Sequence, residues 1–532
     1  MELRNKIASK FGLDLPSTVV FDYPTINAIT DYIISKKWKQ GIEYSERKIT
    51  MRNATDKPIA VKCVSCRYPG EANADRGTTS MEKRITRGNE HNTEIPYSRW
   101  DIDKFYSLDN KAQSSIYTRS GSFLDDSIYY FDRELFHLSM QESVWIDPQI
   151  RLLLEEHAAI YYQMHKLLDL ESTGILVGCM FHEYMSSIEN LTNIQPPPHA
   201  IVGNGSPYMA GRLSFNFGMN GTKFSSHYLF WIHQDLRRRI VIAGMSACID
   251  TACSSSLVAA HVSVSCLRQR ELKDAFASGV NLILNPSTFS AICHLRALSI
   301  VGRCLTFDAS ADGYGRSEGA SVAFITQLTG LQSQSKDLYA ILRGIVVNQD
   351  GRSSSLTAPN GVAQVALHKR CLEESQVEPR EVQLQCLHGT GTPLGDPIEL
   401  NSVLTSHSSK VGDSSLSFFA PKACLGHMEG NAGNAGLLAS ACFVSSATVG
   451  PIMSLRNLNH YLESPLNSWK EKCPGIPRNT SCLPRVLEEA FAGTSSFGMS
   501  GTNAHALVLA PKHHSKDSSD YSVSLLSRIL LL

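Results

Sequence analysis

The chain has 532 residues, enough for one large domain with additional segments, and 42% of them are hydrophobic. Its 50 basic and 50 acidic side chains balance, so bulk charge gives no indication of a nucleic-acid or polyanion partner. The 14 cysteines include no pair of CxxC motifs spaced for zinc, and the isolated motif at Cys63 and Cys66 is interpreted as structural in a reduced, cytoplasmic protein.

Residues 1–36 are predicted to form a small helical unit. Leu3, Ile7 and Phe11 have the spacing of one helix face, and Pro24 opens a second helix. The unit resembles the C-terminal part of an acyl carrier protein domain on two stretches, residues 10–16 and 20–25. That resemblance implies that the serine carrying phosphopantetheine lies upstream of this sequence. An amphipathic N-terminal hairpin is the alternative.

The rest of the chain divides by composition. Residues 37–56 are polar without apolar periodicity, which predicts a linker, and residues 512–532 are predicted to be a linker with a truncated continuation. From Pro58 onward, short apolar runs alternate with helical patterns and Gly-rich turns, which is typical of a layered α/β fold. The uncharged run 435–455 is long enough to cross a bilayer, but its small residues and Pro451 favour a buried helix followed by a strand. No membrane span is predicted.

Cys253 occupies a position with catalytic potential. An apolar run ending at Ile249 predicts a strand, and the spacing of apolar residues from Ser254 to about Leu267 predicts a helix. Cys253 would therefore lie at a sharp strand-to-helix turn, at the positive end of a helix dipole. That environment favours the thiolate, which is the nucleophilic form. A buried structural cysteine is the alternative.

Three later stretches carry groups that can act with this cysteine. His388 and His427 are each framed by glycines, which allow backbone to approach a ligand closely. A third, Gly- and hydroxyl-rich stretch offers backbone N–H groups to a developing oxyanion. The stretches are 388–397, 422–433 and 493–505. One cysteine with two glycine-framed histidines and a donor loop indicates acyl transfer.

The order of these motifs resembles the β-ketoacyl synthase domain of modular type I polyketide synthases. The motifs are DTACSSS at 250–256, HGTGTPLGDP at 388–397, LGH at 425–427 and SSFGMSGTNAH at 495–505. Further matches lie at 66–70, 99–101, 121–125, 140–155, 210–214, 306–314 and 347–351. The resemblance covers roughly residues 58–511, and animal-type fatty acid synthases are close relatives of that family.

The resemblance implies an α/β, thiolase-like fold, with two related α/β halves in a five-layered αβαβα arrangement and the active site between them. It divides the chain into a carrier-domain remnant (1–36), a linker (37–56), a synthase domain (57–511) and a truncated continuation (512–532). The implied partners are acyl carrier domains, acyltransferase and other synthase domains, and a second copy in a homodimer. No cofactor or metal is expected to bind directly, because the acyl and malonyl substrates arrive on carrier phosphopantetheine.

The same resemblance implies a decarboxylative Claisen condensation that elongates a polyketide or fatty acyl chain. Cys253 would take the acyl chain from a carrier as a thioester. His388 and His427 would then promote decarboxylation of a malonyl-type extender, since two imidazole N–H donors stabilise the charge that builds on its thioester oxygen. A Cys–His–His set is typical of elongation, whereas thiolases use a second cysteine and initiation enzymes pair one His with Asn.

Three further residues are assigned by this resemblance alone. Lys422 and Glu318 match family positions that support the histidines electrostatically. Phe497 matches the gating aromatic residue beside the acyl pocket. In the acyl-transfer step, the backbone N–H groups of Cys253 and Phe497 would hold the oxyanion.

The sequence departs from the family at residues 222–244, which are inserted before the strand that leads to Cys253. An insertion of this length can loop out at modest entropic cost if its ends stay close. It can equally be non-native sequence from a misread gene. Its apolar and basic composition is unusual for a surface loop, which favours the gene-model explanation.

Two other departures concern packing. Lys62 and Cys63 replace an apolar residue and a glycine in the first strand, and residues 71–92 are polar, so a poorly packed N-terminal edge is expected. Ala423 and Cys424 replace a Thr-Asn pair before the second Gly-His. These departures motivate an alternative function, a catalytically impaired synthase remnant that acts as a dimerisation or carrier-docking module. A hydrolytic Cys–His enzyme is a third and weaker hypothesis.

Overall fold

The computed structural model describes residues 2–37 and 58–510, apart from 14, 16–18, 24, 71–77, 89, 109–114, 193–195, 220–221, 226–244, 329–337, 408–415, 470–474 and 483–489. Its helices are α1 (Glu2–Phe11), α2 (Val19–Asp22), α3 (Ile26–Lys37), α4 (Thr78–Arg87), α5 (Met140–Trp145), α6 (Pro148–Met164), α7 (Tyr184–Thr192), α8 (Ser206–Asn216), α9 (Ser255–Arg268), α10 (Pro286–His294), α11 (Gly361–Ser375), α12 (Gly395–Ser406), α13 (Lys422–Leu425), α14 (Ala432–Ser446) and α15 (His460–Ser468).

The strands are β1 (Ile59–Arg67), β2 (Thr93–Glu94), β3 (Ser120–Gly121), β4 (Thr173–Gly178), β5 (Thr222–Ser225), β6 (Met245–Ile249), β7 (Asp274–Asn281), β8 (Gly319–Gln327), β9 (Ala340–Gln349), β10 (Val382–Cys386), β11 (Ser417–Phe419), β12 (Thr448–Val449), β13 (Ser481–Cys482), β14 (Phe491–Phe497) and β15 (Thr502–Leu509). Short 3₁₀ helices lie at Ile102–Lys104, Asp126–Tyr129, Pro198–Gly203, Pro379–Glu381 and Glu429–Asn431.

The N-terminal segment is helical, as the sequence predicts. Helix α1 ends at Phe11, and Gly12 follows with φ of 65°, a backbone conformation that glycine adopts without strain. The side chains of Leu15, Val19 and Ile33 are buried. The short helix α2 between the two predicted helices was not anticipated from the spacing.

The main sheet of the larger domain contains one strand pattern twice. Among the described residues it has eleven strands, in the order β11-β10-β14-β15-β9-β1-β8-β7-β4-β6-β5. The sets β6-β4-β7-β8-β1 and β11-β10-β14-β15-β9 have the same order when each is numbered along the chain. In both sets the first three strands run parallel to one another. The fourth strand is antiparallel to the third, and the fifth is antiparallel to the fourth. The repeat confirms the expectation of two related α/β halves.

Helices and sheets alternate in five layers. Helices α9 and α14 contact each other, and each also contacts strands of both halves. In β4, Ile175 and Val177 join the apolar cluster formed with α6 and α8, whereas Leu176 joins the cluster formed with α9 and α14. Because side chains alternate across a strand, α6 and α9 lie on opposite faces of that sheet. Helix α11 contacts β9 and β15, with α12 against it, and completes the predicted αβαβα arrangement.

The apolar run 435–455 is a buried helix followed by a strand, as predicted. It lies in α14, whose side chains are buried from Ala432 through Val444, and continues into β12. Within the described ranges, no helix is long and apolar enough to cross a membrane.

The expectation of a poorly packed N-terminal edge is wrong for the part that the structure describes, and residues 71–77 and 89 of that edge lie outside the described residues. Strand β1 is not an edge strand, because it pairs with β8 along its length and with β9 at its start. A register shift between Val61 and Cys63 takes up Lys62 as a bulge, so the flanking residues stay in register. In helix α4, Met81 and Ile85 are fully buried against the same core as β1.

Strand β5 lies outside the repeated pattern. It is the first part of the predicted insertion 222–244, and it pairs in parallel with β6, the strand that leads to Cys253. Residues 226–244 lie outside the described residues. The explanation of this insertion as non-native sequence therefore stays a prediction.

Candidate active site

Cys253 lies at a strand-to-helix turn, as the sequence predicts. Strand β6 ends at Ile249 and α9 begins at Ser255. Between them Ala252 has φ of 57°, a left-handed conformation that is costly for a residue with a Cβ. The turn is held by the N–H of Thr251, which donates to the Ser255 hydroxyl at 2.9 Å. A tight, strained turn of this kind fixes the direction of the cysteine side chain.

The prediction that this environment favours the thiolate is wrong. Burial raises the pKa of the Cys253 thiol to about 12, the nearby Glu429 carboxylate raises it further, and Lys422 lowers it in part. Desolvation of the sulfur outweighs the stabilisation that a helix N-terminus provides. Cys253 therefore rests as a thiol.

His388 follows β10 and is held as a neutral imidazole. Its Nδ1 accepts the backbone N–H of Phe497 at 3.3 Å. Since that nitrogen is an acceptor, the ring carries its proton on Nε2. Burial, the Lys422 charge and the neighbouring His427 keep the pKa of His388 well below its usual range. The residue is thus an uncharged N–H donor.

The loop that carries His388 is fixed by two acidic residues of α12. Glu399 accepts the backbone N–H groups of His388 and Gly389 at 2.6 and 2.8 Å, and Asp396 accepts that of Gly391 at 3.1 Å. Burial raises the pKa of Glu399 to about 7 and that of Asp396 to about 6. Neither carboxylate has a role predicted from the sequence. Their spacing of three residues, directly after the glycine loop, is the signal that was available.

His427 lies opposite His388 and is 1% exposed. Their rings are 5.5 Å apart between centroids, at 89°. The preceding Gly426 has φ of 76°, and the His427 N–H donates to the Gly315 carbonyl at 2.8 Å. Burial and the charges of Lys422 and a nearby arginine keep the pKa of His427 well below its usual range. Neither ring nitrogen has a hydrogen-bond partner among the described residues, so both are free for a substrate.

Lys422 has the placement expected of a supporting charge. It is the first residue of α13 and is buried. Its positive charge lowers the pKa of both histidines and partly offsets the raised pKa of Cys253. The neighbouring Ala423 and Cys424, which replace polar family residues, are also buried, so the substitution leaves the segment packed.

Glu318 does not have the contacts that its predicted role requires. Its carboxylate accepts Arg99 Nε and Nη2 at 2.9 and 2.8 Å, and the N–H groups of Leu124 and Ile283 at 2.9 and 3.0 Å. These four hydrogen bonds use both oxygens and join separate loops. The carboxylate that contacts a histidine segment is Glu399, and we correct the assignment of Glu318 to a scaffold residue.

The end of β14 connects the Cys253 segment to His388. The Ser496 hydroxyl donates to the Cys253 carbonyl at 2.8 Å, and the next residue, Phe497, donates its N–H to His388. The Phe497 ring lies 5.4 Å from that of His388. The N–H groups near the Cys253 sulfur are its own and that of Met499. An oxyanion role for Phe497 would require its bond to His388 to open, and it stays a prediction, as does its gating role.

Comparison with protein families gives three matches. Residues 56–227 and 239–330 match the N-terminal domain of β-ketoacyl synthases, and residues 339–456 match the C-terminal domain. Residues 1–33 match a phosphopantetheine attachment site domain. The N-terminal match is interrupted at 228–238, within the predicted insertion.

Individual relatives point the same way. The chain is 31% identical over 513 residues to polyketide synthase GfsA of Streptomyces halstedii. It is 35% identical over 463 residues to a phenolphthiocerol/phthiocerol polyketide synthase of Mycobacterium tuberculosis. These alignments cover 96% and 86% of this chain, but the chain spans 6% and 20% of the length of the two relatives.

Two solved structures are similar in fold. The ketosynthase from module 6 of the bacillaene synthase of Bacillus subtilis matches with a TM-score of 0.72 at 27% identity, covering 86% of this chain and 72% of that one. The oxazolomycin ketosynthase domain of Streptomyces albus matches with a TM-score of 0.74 at 26% identity, covering 87% and 76%.

Proposed function

The chain belongs to the β-ketoacyl synthase family, and we propose on that premise that it performs a decarboxylative Claisen condensation on carrier-bound thioesters. The observation that carries the proposal is the link made by β14. Its Ser496 holds the Cys253 segment and its Phe497 holds the His388 ring, so nucleophile and donor belong to one rigid unit. His427 completes the unit, with its ring 5.5 Å from that of His388 between centroids.

In the first step Cys253 takes the acyl chain. Its sulfur attacks the carbonyl carbon of an acyl thioester on a carrier phosphopantetheine, a new C–S bond forms, and the carrier C–S bond breaks. The proton of the Cys253 thiol ends on the departing carrier thiol, so the step is neutral overall. Because the resting thiol has a pKa of about 12, it stays protonated until a carrier enters. The positive charge of Lys422 partly offsets this raised pKa of Cys253.

In the second step a malonyl-type thioester loses its carboxylate as CO₂. The electron pair of the broken C–C bond becomes an enolate, whose oxygen receives N–H donation from His388 and His427. The enolate carbon attacks the Cys253 thioester, a C–C bond forms, and the C–S bond breaks so that the cysteine sulfur leaves as a thiolate. This thiolate takes up one proton from water and returns to the resting thiol. Neutral histidines suit this step, since each presents an N–H without pairing to the substrate carboxylate as a cation would.

The proposed substrates and partners follow from the family. The match at residues 1–33 supports phosphopantetheine-linked substrates on carrier domains. The matched relatives are much longer than this chain, which supports a place beside acyltransferase and other domains of a multidomain synthase. We retain a cytoplasmic location and the domain limits 1–36, 37–56, 57–511 and 512–532 as proposals.

A homodimer is also proposed, with a second copy as the occupant of one apolar surface. Met140 and Phe215 are 70% and 73% exposed, and Ile201 is 61% exposed. Their elements are in contact: α5 and α8 both pack on the 3₁₀ helix that contains Ile201. A Met140→Asp and Ile201→Asp double variant should shift a sedimenting dimer to monomer, whereas the wild type sedimenting as a monomer would remove the proposal.

The decisive experiment is acyl transfer to Cys253. Purified protein is incubated with an acyl-loaded carrier and analysed by intact mass, with Cys253→Ala as the specificity control. We expect one acyl adduct per chain on the wild type and none on the variant. If the wild type gains no adduct while it keeps a sharp thermal transition, the condensing function fails. The non-catalytic carrier-docking alternative then takes its place.

A further inference from the structure

The two active-site histidines are oriented in different ways. A backbone N–H fixes the His388 ring, whereas neither ring nitrogen of His427 contacts a hydrogen-bond partner within the described ranges. A ring that must offer N–H to a substrate gains from having both nitrogens uncommitted. Its angle must then be set by contacts that use neither nitrogen.

The backbone around His427 is paired with a neighbouring segment. The His427 N–H donates to Gly315 O at 2.8 Å, and the Ser317 N–H donates to His427 O at 2.9 Å. Arg316 and His427 thereby form a parallel bridge. This pairing fixes the position of the His427 Cα and leaves the rotation of its ring to side-chain contacts.

Tyr314 provides such a contact. Its ring meets the His427 ring edge to face, with centroids 4.9 Å apart at 76°. Tyr314 is buried, and its hydroxyl donates to Glu429 Oε1 at 3.3 Å. The phenol is thus held at one end by a carboxylate and touches the imidazole with its ring.

The carboxylate is itself immobilised. Arg316 Nε and Nη2 donate to the two oxygens of Glu429 at 2.7 and 2.8 Å, a bidentate arrangement with both residues fully buried. The guanidinium lies 5.4 Å from the Phe181 ring centroid and 5.2 Å from that of Phe289. A buried ion pair contributes little net stability, but it holds one geometry.

We propose that Tyr314, anchored through its hydroxyl to the Glu429–Arg316 pair, is a positioning residue that orients the His427 imidazole for decarboxylation. The four residues form a closed set: Tyr314 and Arg316 are two apart on one segment, and His427 and Glu429 are two apart on the other. Each segment contributes one member of the ion pair and one ring of the edge-to-face pair. The inference rests on the proposed function, since it assigns Tyr314 to one of its two steps.

The test separates the two half-reactions in Tyr314→Phe, which keeps the ring and removes the anchor. We expect kcat for decarboxylation of a malonyl-loaded carrier to fall about tenfold with KM unchanged, because a small misorientation of a catalytic group has effects of this size or larger. The rate of Cys253 acylation should stay within about twofold of wild type, since that step does not use the His427 ring angle.

The matched control is Tyr117→Phe, which also removes a buried hydroxyl, one that donates to Leu298 O at 2.8 Å. Both steps should be unchanged in that variant. In a His427→Ala background, Tyr314→Phe should cause no further loss of decarboxylation rate, which distinguishes positioning from a general loss of stability. Thermal unfolding is recorded for each protein.

Two outcomes overturn the inference. One is equal decarboxylation by wild type and Tyr314→Phe, and the other is an equal loss in both half-reactions. A wild type that performs neither step indicates failure of the proposed function instead.

Discussion

The two halves of the synthase domain have the same strand order but contribute different chemistry. In the first half, the third strand, β6, leads through Cys253 into α9. In the second half, the third strand, β11, leads through α13 and His427 into α14. The second half also supplies His388, after its second strand. In the proposed mechanism, one half therefore brings the nucleophile and the other brings both donors.

The shared topology explains why these groups meet. In each half, the helix that follows the third strand lies in the central layer, and α9 and α14 contact each other there. Residues just before these two helices are consequently close, although 174 positions separate Cys253 from His427 in the chain. Burial in this layer keeps the thiol protonated and the histidines neutral, and Lys422 is the cation that acts on all three.

The largest expected effect is that of removing the nucleophile of the first half. Cys253→Ala should lower chain elongation by at least about a thousandfold, because no thioester can form. Decarboxylation of a malonyl-loaded carrier should continue, since its donors belong to the second half. Product mass and CO₂ release measure the two steps. Cys179→Ala, a buried cysteine after β4, is the control, and loss of decarboxylation in Cys253→Ala would contradict a division of chemistry between the halves.

Removing a donor of the second half should have the converse effect. His427→Ala should lower decarboxylation by about a hundredfold to a thousandfold, which is the usual cost of losing one oxyanion donor. The acyl adduct on Cys253 should still form and can be followed by intact mass. His261→Asn, at a partly buried histidine of α9 that contacts the Ile345 carbonyl at 3.0 Å, is the control. If His427→Ala blocks the adduct as well, both halves act in both steps.

The contact between the halves can be tested through α14. A Cβ at Gly433 would lie 2.6 Å from Leu257 Cβ and 2.8 Å from Leu257 N, so Gly433→Ala forces α9 and α14 apart. We expect a loss of about 1–3 kcal/mol in unfolding free energy, typical of overpacking, measured by denaturant titration. In Gly436→Ala, on the same helix, the nearest atoms are 3.1 Å away, and the loss should be smaller. Equal losses would show that the helix contact is not tight at Gly433.

The placement of residues that lie in local motifs was predictable from the sequence. Cys253, His388 and His427 each lie in a short glycine- or serine-rich stretch, and the structure brings the segments together. Glu399 was missed because its carboxylate acts on backbone N–H groups, and its spacing of three residues from Asp396 was the available signal. Glu318 was misassigned because sequence does not show which way a buried carboxylate points.

Properties that sum over distant residues were not predictable. The pKa of Cys253 was expected to be low from its place at a helix N-terminus, which is a local feature. The pKa is raised instead, because both halves bury the sulfur, and that burial depends on the whole fold. Likewise, Lys62 in β1 indicated poor packing, but a one-residue bulge accommodates it, and bulges have no reliable local signature.

A histidine buried in the first half is predicted to make the unfolding free energy depend on pH. His157 on α6 contacts Leu153 O through Nδ1 at 2.7 Å and the Ser278 hydroxyl through Nε2 at 3.0 Å. Burial lowers its pKa to about 4. An unfolded histidine has a pKa of about 6.5, so between these values the unfolded state takes up a proton that the folded state does not. The stabilisation is therefore present above pH 6.5 and is lost as pH falls towards 4.

We expect His157→Gln to remove this pH dependence. Between pH 7 and pH 5 the wild type should lose about 2 kcal/mol more of its unfolding free energy than the variant does. Glu183 and Glu399, whose pKa values burial raises to about 7, act in the opposite direction in both proteins, so the difference between the two isolates the histidine. Denaturant midpoints at the two pH values measure this difference. If wild type and variant lose the same unfolding free energy between pH 7 and pH 5, His157 is protonated in the folded protein. Because burial also lowers the pKa of His368 in the second half, to about 3, the variant should keep a residual acid sensitivity that originates there.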